Sequence, residues 1–172
     1  MSAESTGTRK ARAGLSLKAR AIGLLSRREH SRSELRRKLA PHCDDPDQVE
    51  KLLDELERGN WLSQERFAES LVHRRAARHG TRRILQELRQ HDLPEETLTE
   101  LAQGLHATEY PRALEVWRKR FGSPPADARE YARQFRYMAN RGFAPDCLRR
   151  ILADNGADVS DDDLPSFDEP DT

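Results

Sequence analysis

One short helical pattern occurs three times in this chain, and this repetition restricts the fold more than any other feature. The copies read SRSELRRKL at residues 31–39, GTRRILQEL at 80–88 and APDCLRRIL at 144–152. In each copy two apolar residues stand four positions apart, which places them on one face of a helix. A chain that repeats one narrow apolar face favours an array of similar helical units over a single large core.

The similarity extends into the helix that precedes each copy. When Leu35, Ile84 and Leu148 are aligned, apolar residues coincide at three further positions. These are Leu39, Leu88 and Leu152 four residues later, Ile22, Leu71 and Phe135 thirteen earlier, and Ala19, Ala68 and Ala132 sixteen earlier. Three helix pairs therefore share one apolar skeleton. We predict an all-α fold of tandem three-helix units, with about nine helices, elongated and curved, and with disordered termini.

Capping signals give the helix boundaries. Ser31 with Glu34 forms a capping box, and Asp45 followed by Pro46 opens another helix. Thr81 is predicted to cap the fifth helix, and Gly104 to end the sixth. The predicted divisions are a disordered basic N-terminal extension at 1–15, three-helix units at 16–60, 61–106 and 107–153, and a disordered acidic tail at 154–172. The termini are polar and charged, so they have little apolar surface to bury.

The formal net charge of zero hides an uneven distribution. From Asp154 onward there are eight acidic and no basic residues, so residues 1–153 carry all 30 basic side chains against 22 acidic ones, a net charge of +8. A basic body indicates an anionic partner, such as nucleic acid or a nucleoprotein surface. The alternative is a solvated surface with a bias toward arginine.

The sequence has no pattern typical of catalysis or cofactor binding. It has neither a Walker A sequence nor HExxH, and His42 and Cys43 have no second pair at metal-ligand spacing. His30, His79 and His91 fall near predicted helix ends, where histidines commonly meet backbone carbonyls. We therefore expect no enzyme activity, no cofactor and no metal.

The expected location is the cytoplasm. No apolar run is long enough to span a membrane, and the N-terminus lacks the apolar stretch of a signal peptide. Cys43 and Cys147 have no CxxC spacing, which is consistent with reduced thiols. We find no evident dimerisation segment and expect a monomer. Trp61 and Trp117 are interpreted as plugs between helices.

Fifteen basic side chains, grouped in one cluster per unit, are the candidate binding residues. They are Arg27, Arg28, Arg32, Arg36 and Arg37 in the first unit, Arg74, Arg75, Arg78, Arg82 and Arg83 in the second, and Arg118, Lys119, Arg120, Arg149 and Arg150 in the third. Such an edge can bind phosphates, with strong salt dependence, or carboxylates of a protein partner. The alternative is pairing within the chain, because residues 46–58 are rich in acids.

Four segments resemble the RecX family of recombination regulators. They read ARAIGLLSRREHSRSELRRKL, NWLSQERFAESLVHRR, GTRRILQELRQHDL and RQFRYMANRGFAPDCLRRIL, and the resemblance covers about residues 17–152. It implies three tandem three-helix units that bind the groove of the RecA–single-stranded-DNA filament. It also implies regulation, mostly inhibition, of ATP hydrolysis, strand exchange and co-protease activity in recombination, DNA repair and the SOS response. The implied partners are RecA and single-stranded DNA, with duplex DNA bound weakly and in a salt-dependent way, and no membrane.

Two alternatives from other classes remain open at this stage. Short turns such as REHSRS and RHGT also suit helix-turn-helix pairs, so the chain can be read as a transcription regulator that acts without a recombinase. A protein-interaction scaffold without DNA contact is the other alternative. Salt dependence and the requirement for a recombinase distinguish the three interpretations.

Overall fold

The structure is a computed structural model that describes residues 15–157. Over this range the chain forms nine α-helices, one short 3₁₀ helix (Ala40–His42) and no strand, so the all-α prediction is confirmed. The helices are α1 (Leu17–Leu25), α2 (Arg32–Leu39), α3 (Pro46–Arg58), α4 (Gln64–Ala76), α5 (Thr81–Arg89), α6 (Glu95–Ala107), α7 (Glu109–Arg120), α8 (Ala128–Ala139) and α9 (Pro145–Asp154). The predicted disorder at 1–14 and 158–172 lies outside the described residues, and Asp154 is the last residue of α9.

Three separate hydrophobic cores correspond to three consecutive helix triplets. The first core is formed by α1–α3, the second by α4–α6 and the third by α7–α9. The aligned residues Leu35, Ile84 and Leu148 are all at most 1% exposed. Each unit thus buries the repeated apolar face in its own centre, which confirms the tandem arrangement. The elongation and curvature of the array stay predictions.

Side-chain caps begin several of the helices where the sequence predicts them. The Ser31 hydroxyl accepts a hydrogen bond from the Glu34 N–H at 3.1 Å, and the Asp45 carboxylate accepts one from the Asp47 N–H at 3.0 Å. These oxygens satisfy N–H groups that have no partner inside the helix. The Glu34 side chain does not close the capping box. It binds the guanidinium of Arg28 instead.

Two predicted boundaries are wrong. Thr81 is the first residue of α5 and not its cap, because the third unit supplies partners for the first N–H groups of this helix: Thr81 N–H donates to Glu109 Oε1 at 2.9 Å. Gly104 lies inside α6 and does not end it. Thr108 alone separates α6 from α7, and its hydroxyl donates to the Gly104 carbonyl at 3.0 Å.

The two tryptophans have different environments. Trp117 is 3% exposed, and its indole N–H donates to Gln134 Oε1 at 2.7 Å between α7 and α8, as the interpretation of a plug requires. Trp61 is 55% exposed in the turn after α3, so the same interpretation is wrong for this residue. The turn passes through Asn60 at φ 57°, a left-handed conformation that asparagine adopts more readily than most residues.

Candidate binding surface

The acidic face of α3 neutralises part of the first cluster. Arg32 forms ion pairs with Glu50, Asp54 and Glu57 at 2.8, 2.7 and 2.6 Å, and its side chain is only 20% exposed. Burial lowers the pKa of Arg32, but the hydrogen bonds that it donates to its three carboxylate partners outweigh this effect and raise the pKa above its ordinary value. Arg32 is therefore held within the first unit, as the acidic sequence of 46–58 suggests.

A second arginine, Arg36, also binds the Glu50 carboxylate. Arg36 Nη2 lies 3.1 Å from Glu50 Oε2, and its Nε also donates to this side chain. Hydrogen bonds from Arg36 and then Arg32 lower the pKa of Glu50 to about 2. Glu50 is thus ionised throughout the neutral range, and both arginines have their charge compensated inside the protein.

Two further carboxylates are bound by arginine forks. Arg28 binds Glu34 through both terminal nitrogens. Arg75 on α4 binds Glu87 on α5, with 2.9 Å from Nε to Oε2 and 2.8 Å from Nη2 to Oε1. The hydrogen bonds from Arg75 lower the pKa of Glu87. Bidentate geometry of this kind is the favoured arrangement for guanidinium and carboxylate.

Most candidates of the third unit have contacts within that unit. Lys119 pairs with Glu115 at 2.6 Å, and Arg149 with Asp146 at 2.7 Å. Arg150 lies 3.6 Å from Asp154 and over the Tyr110 ring at 4.7 Å. Pairs one helical turn apart on an exposed face are weak and leave the cation accessible to a partner.

Six of the fifteen candidates are exposed and form no side-chain hydrogen bond, ion pair or cation–π contact within residues 15–157. They are Arg27, Arg37, Arg74, Arg78, Arg82 and Arg118. They occur in all three units, with half of them in the second. Because no carboxylate has to be displaced first, these arginines are the ones best prepared to bind an external anion.

The first and second units meet through polar contacts. The Ser31 hydroxyl lies 2.9 Å from His91 Nδ1, so the N-cap of α2 is also bound to the end of α5. Arg66 Nε donates to Glu29 Oε1 at 2.8 Å, and the Arg32 N–H donates to Gln64 Oε1 at 3.3 Å. Burial lowers the pKa of His91, which keeps its imidazole neutral in this contact at physiological pH.

The second and third units meet around Arg112, a residue that the sequence analysis missed. Its guanidinium donates to the carbonyls of His79 and Leu105, both at 2.9 Å, and to Thr81 Oγ1 at 3.3 Å. It therefore satisfies backbone acceptors at the ends of α4 and α6 from a position on α7. Neither its spacing nor its neighbours in sequence distinguish Arg112 from the other arginines, because its partners come from distant segments.

Two glycines, Gly80 and Gly142, take part in the contact between the second and third units, which we call the joint. The Gly80 N–H donates to the Arg141 carbonyl at 2.8 Å, and the Arg82 N–H donates to the Gly142 carbonyl at 3.1 Å. Gly142 has φ 85°, which favours glycine. The first turn of α5 is thus bound by the turn between α8 and α9, and the two units are held in close backbone contact.

A groove of about 1050 Å³ opens beside this joint, between α5 and the turn at 139–142. We call it the joint groove, and it is lined by Arg82, Arg83, Gln86, Arg89, Gln90 and Asn140, among others. Arg83 is fixed by donating to the Asn140 carbonyl at 3.2 Å. Arg89 was not among the sequence-based candidates, because the repeat alignment gave no reason to single it out. The structure therefore adds one cation to the second cluster.

An aromatic and cationic cluster lies next to the joint groove. Tyr137 and Phe121 are in edge-to-face contact at 5.2 Å. Arg141 lies over the Tyr137 ring at 4.0 Å, and Arg120 lies 5.3 Å from the same ring. Stacked arginines keep their charge and still expose hydrogen-bond donors. Arg141 stands between Asn140 and Gly142, which both line the groove.

Within the described range, the side chains offer little for metal or thiol chemistry. No group of three or more His, Cys, Asp or Glu side chains could hold a metal ion in residues 15–157. Burial raises the pKa of the Cys147 thiol to about 11, so the reactive thiolate is scarce at neutral pH. None of the helices in this range is both long enough and apolar enough to cross a membrane.

The fold and this surface define a class, namely helical-repeat proteins with a surface rich in arginine. Comparison with known families is more specific. Models of the first, second and third three-helix domains of RecX match residues 18–56, 63–101 and 107–152. The chain belongs to the RecX family of regulatory proteins.

Individual relatives agree with this assignment. A protein named regulatory protein RecX from Ralstonia pickettii is 60% identical over 144 residues, which cover 84% of this chain and 89% of that protein. The protein of the same name from Ralstonia nicotianae is 57% identical over 151 residues, or 88% of this chain and 95% of its own length. These relatives match nearly the whole described range.

Solved structures share the fold. The crystal structure of RecX from Lactobacillus salivarius superposes with a TM-score of 0.68 at 16% identity, covering 80% of this chain and 93% of that one. A second structure, titled as regulatory protein RecX, gives a TM-score of 0.61 at 20% identity and covers 80% and 73%. Identities this low support the fold alone.

Proposed function

We propose that this protein regulates the RecA recombinase, mostly as an inhibitor, by binding in the groove of the RecA–single-stranded-DNA filament. In this role it modulates ATP hydrolysis, strand exchange and co-protease activity during recombination, DNA repair and the SOS response. It does so by binding and without chemistry of its own. The observation that carries this proposal is the ordered match of all three RecX three-helix domains along one chain.

The charge distribution supports a mixed protein and nucleic-acid partner. Unpaired arginines occur in all three units, from Arg27 in the first to Arg118 in the third. A rigid array that offers several weak contacts gains affinity on a repetitive filament, because each bound unit raises the effective concentration of the next. The joint around Arg112 supports this mechanism, since it fixes the spacing of the second and third units.

The transcription-regulator alternative receives less support from the contacts of α5. In helix-turn-helix proteins the N-terminal residues of the second helix contact the bases in the major groove. Here the N–H groups of Thr81 and Arg82 at that end are bound to Glu109 and Gly142 of the third unit. Access of α5 to a DNA groove in this manner would require the joint to open.

The decisive test is a titration of this protein into RecA during single-stranded-DNA-dependent ATP hydrolysis, with binding to DNA alone as the control. Inhibition well below one copy per RecA indicates capping or destabilisation of growing filament ends. Inhibition only near saturation indicates coating of the groove. Absence of any effect on RecA, together with sequence-selective binding to duplex DNA, contradicts the proposal and favours the transcription regulator.

A further inference from the structure

We propose that the joint groove is a binding site for the phosphodiester backbone of single-stranded nucleic acid. The inference rests on the proposed function for its biological setting, although binding at this site does not itself require RecA. The sequence shows basic clusters in all three units, and this inference places the nucleic-acid contact in the joint groove.

The charge of the groove is uncompensated. Arg82 and Arg89 are exposed and form no side-chain hydrogen bond or ion pair in the described part of the chain. Among the lining residues the acid is Glu87, and both of its carboxylate oxygens are occupied by Arg75. The groove is therefore net positive at any pH at which the arginines are charged.

The donors follow one face of α5. Arg82, Gln86 and Arg89 are spaced by four and then three residues, so their side chains leave the helix on the same side. At a rise of about 1.5 Å per residue, the two arginines are separated by roughly 10 Å along the helix axis. A row of donors over two turns matches a chain with repeated anionic groups better than it matches a single small anion.

The two walls of the groove are connected within the protein itself. Arg83 on α5 donates a hydrogen bond to the Asn140 carbonyl, and Gly142, which lines the groove, is in backbone contact with Gly80. A site with fixed walls loses less conformational entropy on binding than a flexible surface does. The second and third units thus have to stay joined for the site to exist.

The neighbouring aromatic cluster favours nucleic acid over an acidic protein segment. Tyr137 is half-buried, and Arg141, which lies over its ring, stands in sequence between the lining residues Asn140 and Gly142. Proteins that bind single strands combine a basic groove for the backbone with aromatic rings on which bases stack. An acidic peptide would use the arginines but would have no use for the ring.

The test is fluorescence anisotropy of a labelled oligo(dT) strand with the full-length protein and no RecA. Neutralising three phosphates predicts a slope of about −2 for log K against log salt, since each contact to a single strand contributes about 0.7. The double variant Arg82→Glu with Arg89→Glu should reduce affinity at least about tenfold at low salt. It should also make the slope less negative by about 1.4.

A matched control changes the net charge by the same amount elsewhere. Lys51 on α3 and Arg129 on α8 are exposed, lie outside the groove and form no ion pair in residues 15–157. The double variant Lys51→Glu with Arg129→Glu should change affinity less than about threefold, because only screened, distant charges are altered. Equal losses in the two double variants, or no oligo(dT) binding by the unchanged protein, overturn the proposal.

Substitution at Tyr137 tests the nucleic-acid assignment. Tyr137→Leu removes the stacking ring and should weaken oligo(dT) binding about fivefold or more, whereas Tyr137→Phe keeps the ring and the affinity. Competition with polyglutamate tests whether the groove binds an acidic protein segment instead. If the groove double variant loses polyglutamate binding and keeps oligo(dT) binding, the groove serves an acidic protein segment and the proposal fails.

The RecA assay separates the two proposals. A protein that binds oligo(dT) through the groove but has no effect on RecA ATP hydrolysis retains the site and contradicts the proposed function. A protein that inhibits RecA equally well with and without the groove arginines, and binds oligo(dT) equally well in both forms, retains the function and contradicts the site.

Discussion

Gly80 and Gly142 are in backbone contact across the joint of the second and third units. A Cβ built on Gly80 would lie 2.2 Å from the carbonyl carbon of Gly142, and one built on Gly142 would lie 2.5 Å from Arg83 Cβ. No side-chain adjustment relieves the first contact, because the neighbouring atoms are backbone. The absence of two side chains thus permits the joint, and with it the groove beside it.

Replacing Gly80 by alanine should destabilise the protein by about 3 kcal/mol, the upper end of the cost of overpacking. The backbone at Gly80 has φ −77°, so the effect comes from the clash and not from conformational strain. Urea unfolding measures it. The control is Gly104→Ala inside α6, where a Cβ meets nothing within 4 Å. The free energy of unfolding of that variant should rise by about 0.5–1 kcal/mol, because alanine favours the helix more than glycine does. A similar loss of stability in both variants would contradict the assignment.

Arg112→Met should lower the free energy of unfolding by about 3 kcal/mol, because buried carbonyls at the ends of α4 and α6 lose their donors. Arg112 donates to the His79 and Leu105 carbonyls, both at 2.9 Å. Arg118→Met on the same helix removes an exposed arginine without partners in the described residues, and should stay within about 0.5 kcal/mol of the unchanged protein. Equal effects of the two substitutions would show that Arg112 is not structural.

Acid should destabilise the fold before the carboxylates titrate. Burial lowers the pKa of His30, His79 and His91 below the ordinary 6.5. As pH falls through this value, the unfolded chain binds protons that the folded histidines bind only at lower pH. The free energy of unfolding should therefore decrease between pH 7.5 and 5.5. Glu50 and Glu87 have lowered pKa values, and their contribution is lost only below the ordinary 4.5.

His91→Gln tests the part of this pH dependence that comes from the contact between the first and second units. Glutamine can still form a hydrogen bond with Ser31, but it does not titrate. The free energy of unfolding should therefore depend less steeply on pH between pH 7.5 and 5.5. Around His91, the carboxylates of Glu34 and Glu87 raise its pKa, whereas burial, Arg37 and Arg28 lower it. His73→Gln, at an exposed position of α4, is the comparison variant. An unaltered slope in His91→Gln contradicts the prediction.

Reversing Arg74 and Arg78 together should weaken inhibition of RecA about tenfold while the circular dichroism of the helices stays constant. Both side chains are exposed and unpaired within residues 15–157. Arg75, the third arginine of this cluster, is left unchanged because its ion pair with Glu87 connects α4 to α5. The measurement is the inhibition midpoint in the ATP hydrolysis assay. A midpoint unchanged from that of the original protein removes this cluster from the filament interface.

Deleting residues 158–172 should tighten binding to single-stranded DNA at low salt and have little effect at high salt. This segment carries seven acids and no bases, and by charge it can compete with DNA for the basic surface. The deletion starts after Ala157, which packs against the third core, and preserves Asp154, which accepts a hydrogen bond from Tyr110 at 2.6 Å. A variant with the acids replaced by Asn and Gln is the control for chain length. An unchanged affinity in both variants contradicts the prediction that this segment competes with DNA.

Much of the fold follows from the sequence because its signals are local. The apolar spacing that recurs at Leu35, Ile84 and Leu148 predicts the buried face of each unit, and all three are buried. The caps at Ser31 and Asp45 form as expected, since their partners lie two or three residues away. Spacing within one or two helical turns is sufficient for such contacts, whatever the rest of the chain does.

The binding surface was predicted less completely. The clusters of arginine are visible in the sequence, but their availability depends on which carboxylates come near. Arg32 and Arg82 look alike in sequence, yet Arg32 is bound by three acids of α3, whereas the Arg82 side chain forms no hydrogen bond or ion pair in the described residues. Arg89 lies in the joint groove although no repeat position drew attention to it.

The sequence by itself thus determined the helices, the caps at Ser31 and Asp45 and the threefold repetition of apolar faces, because each depends on residues close together in the chain. Tertiary structure alone decided that Glu109 satisfies the first N–H of α5, that Arg112 binds two helix ends and that Gly80 meets Gly142. Except for the bond from Arg112 to Leu105, these contacts join residues about 30 to 60 positions apart, and only the packed arrangement of the units brings such residues together.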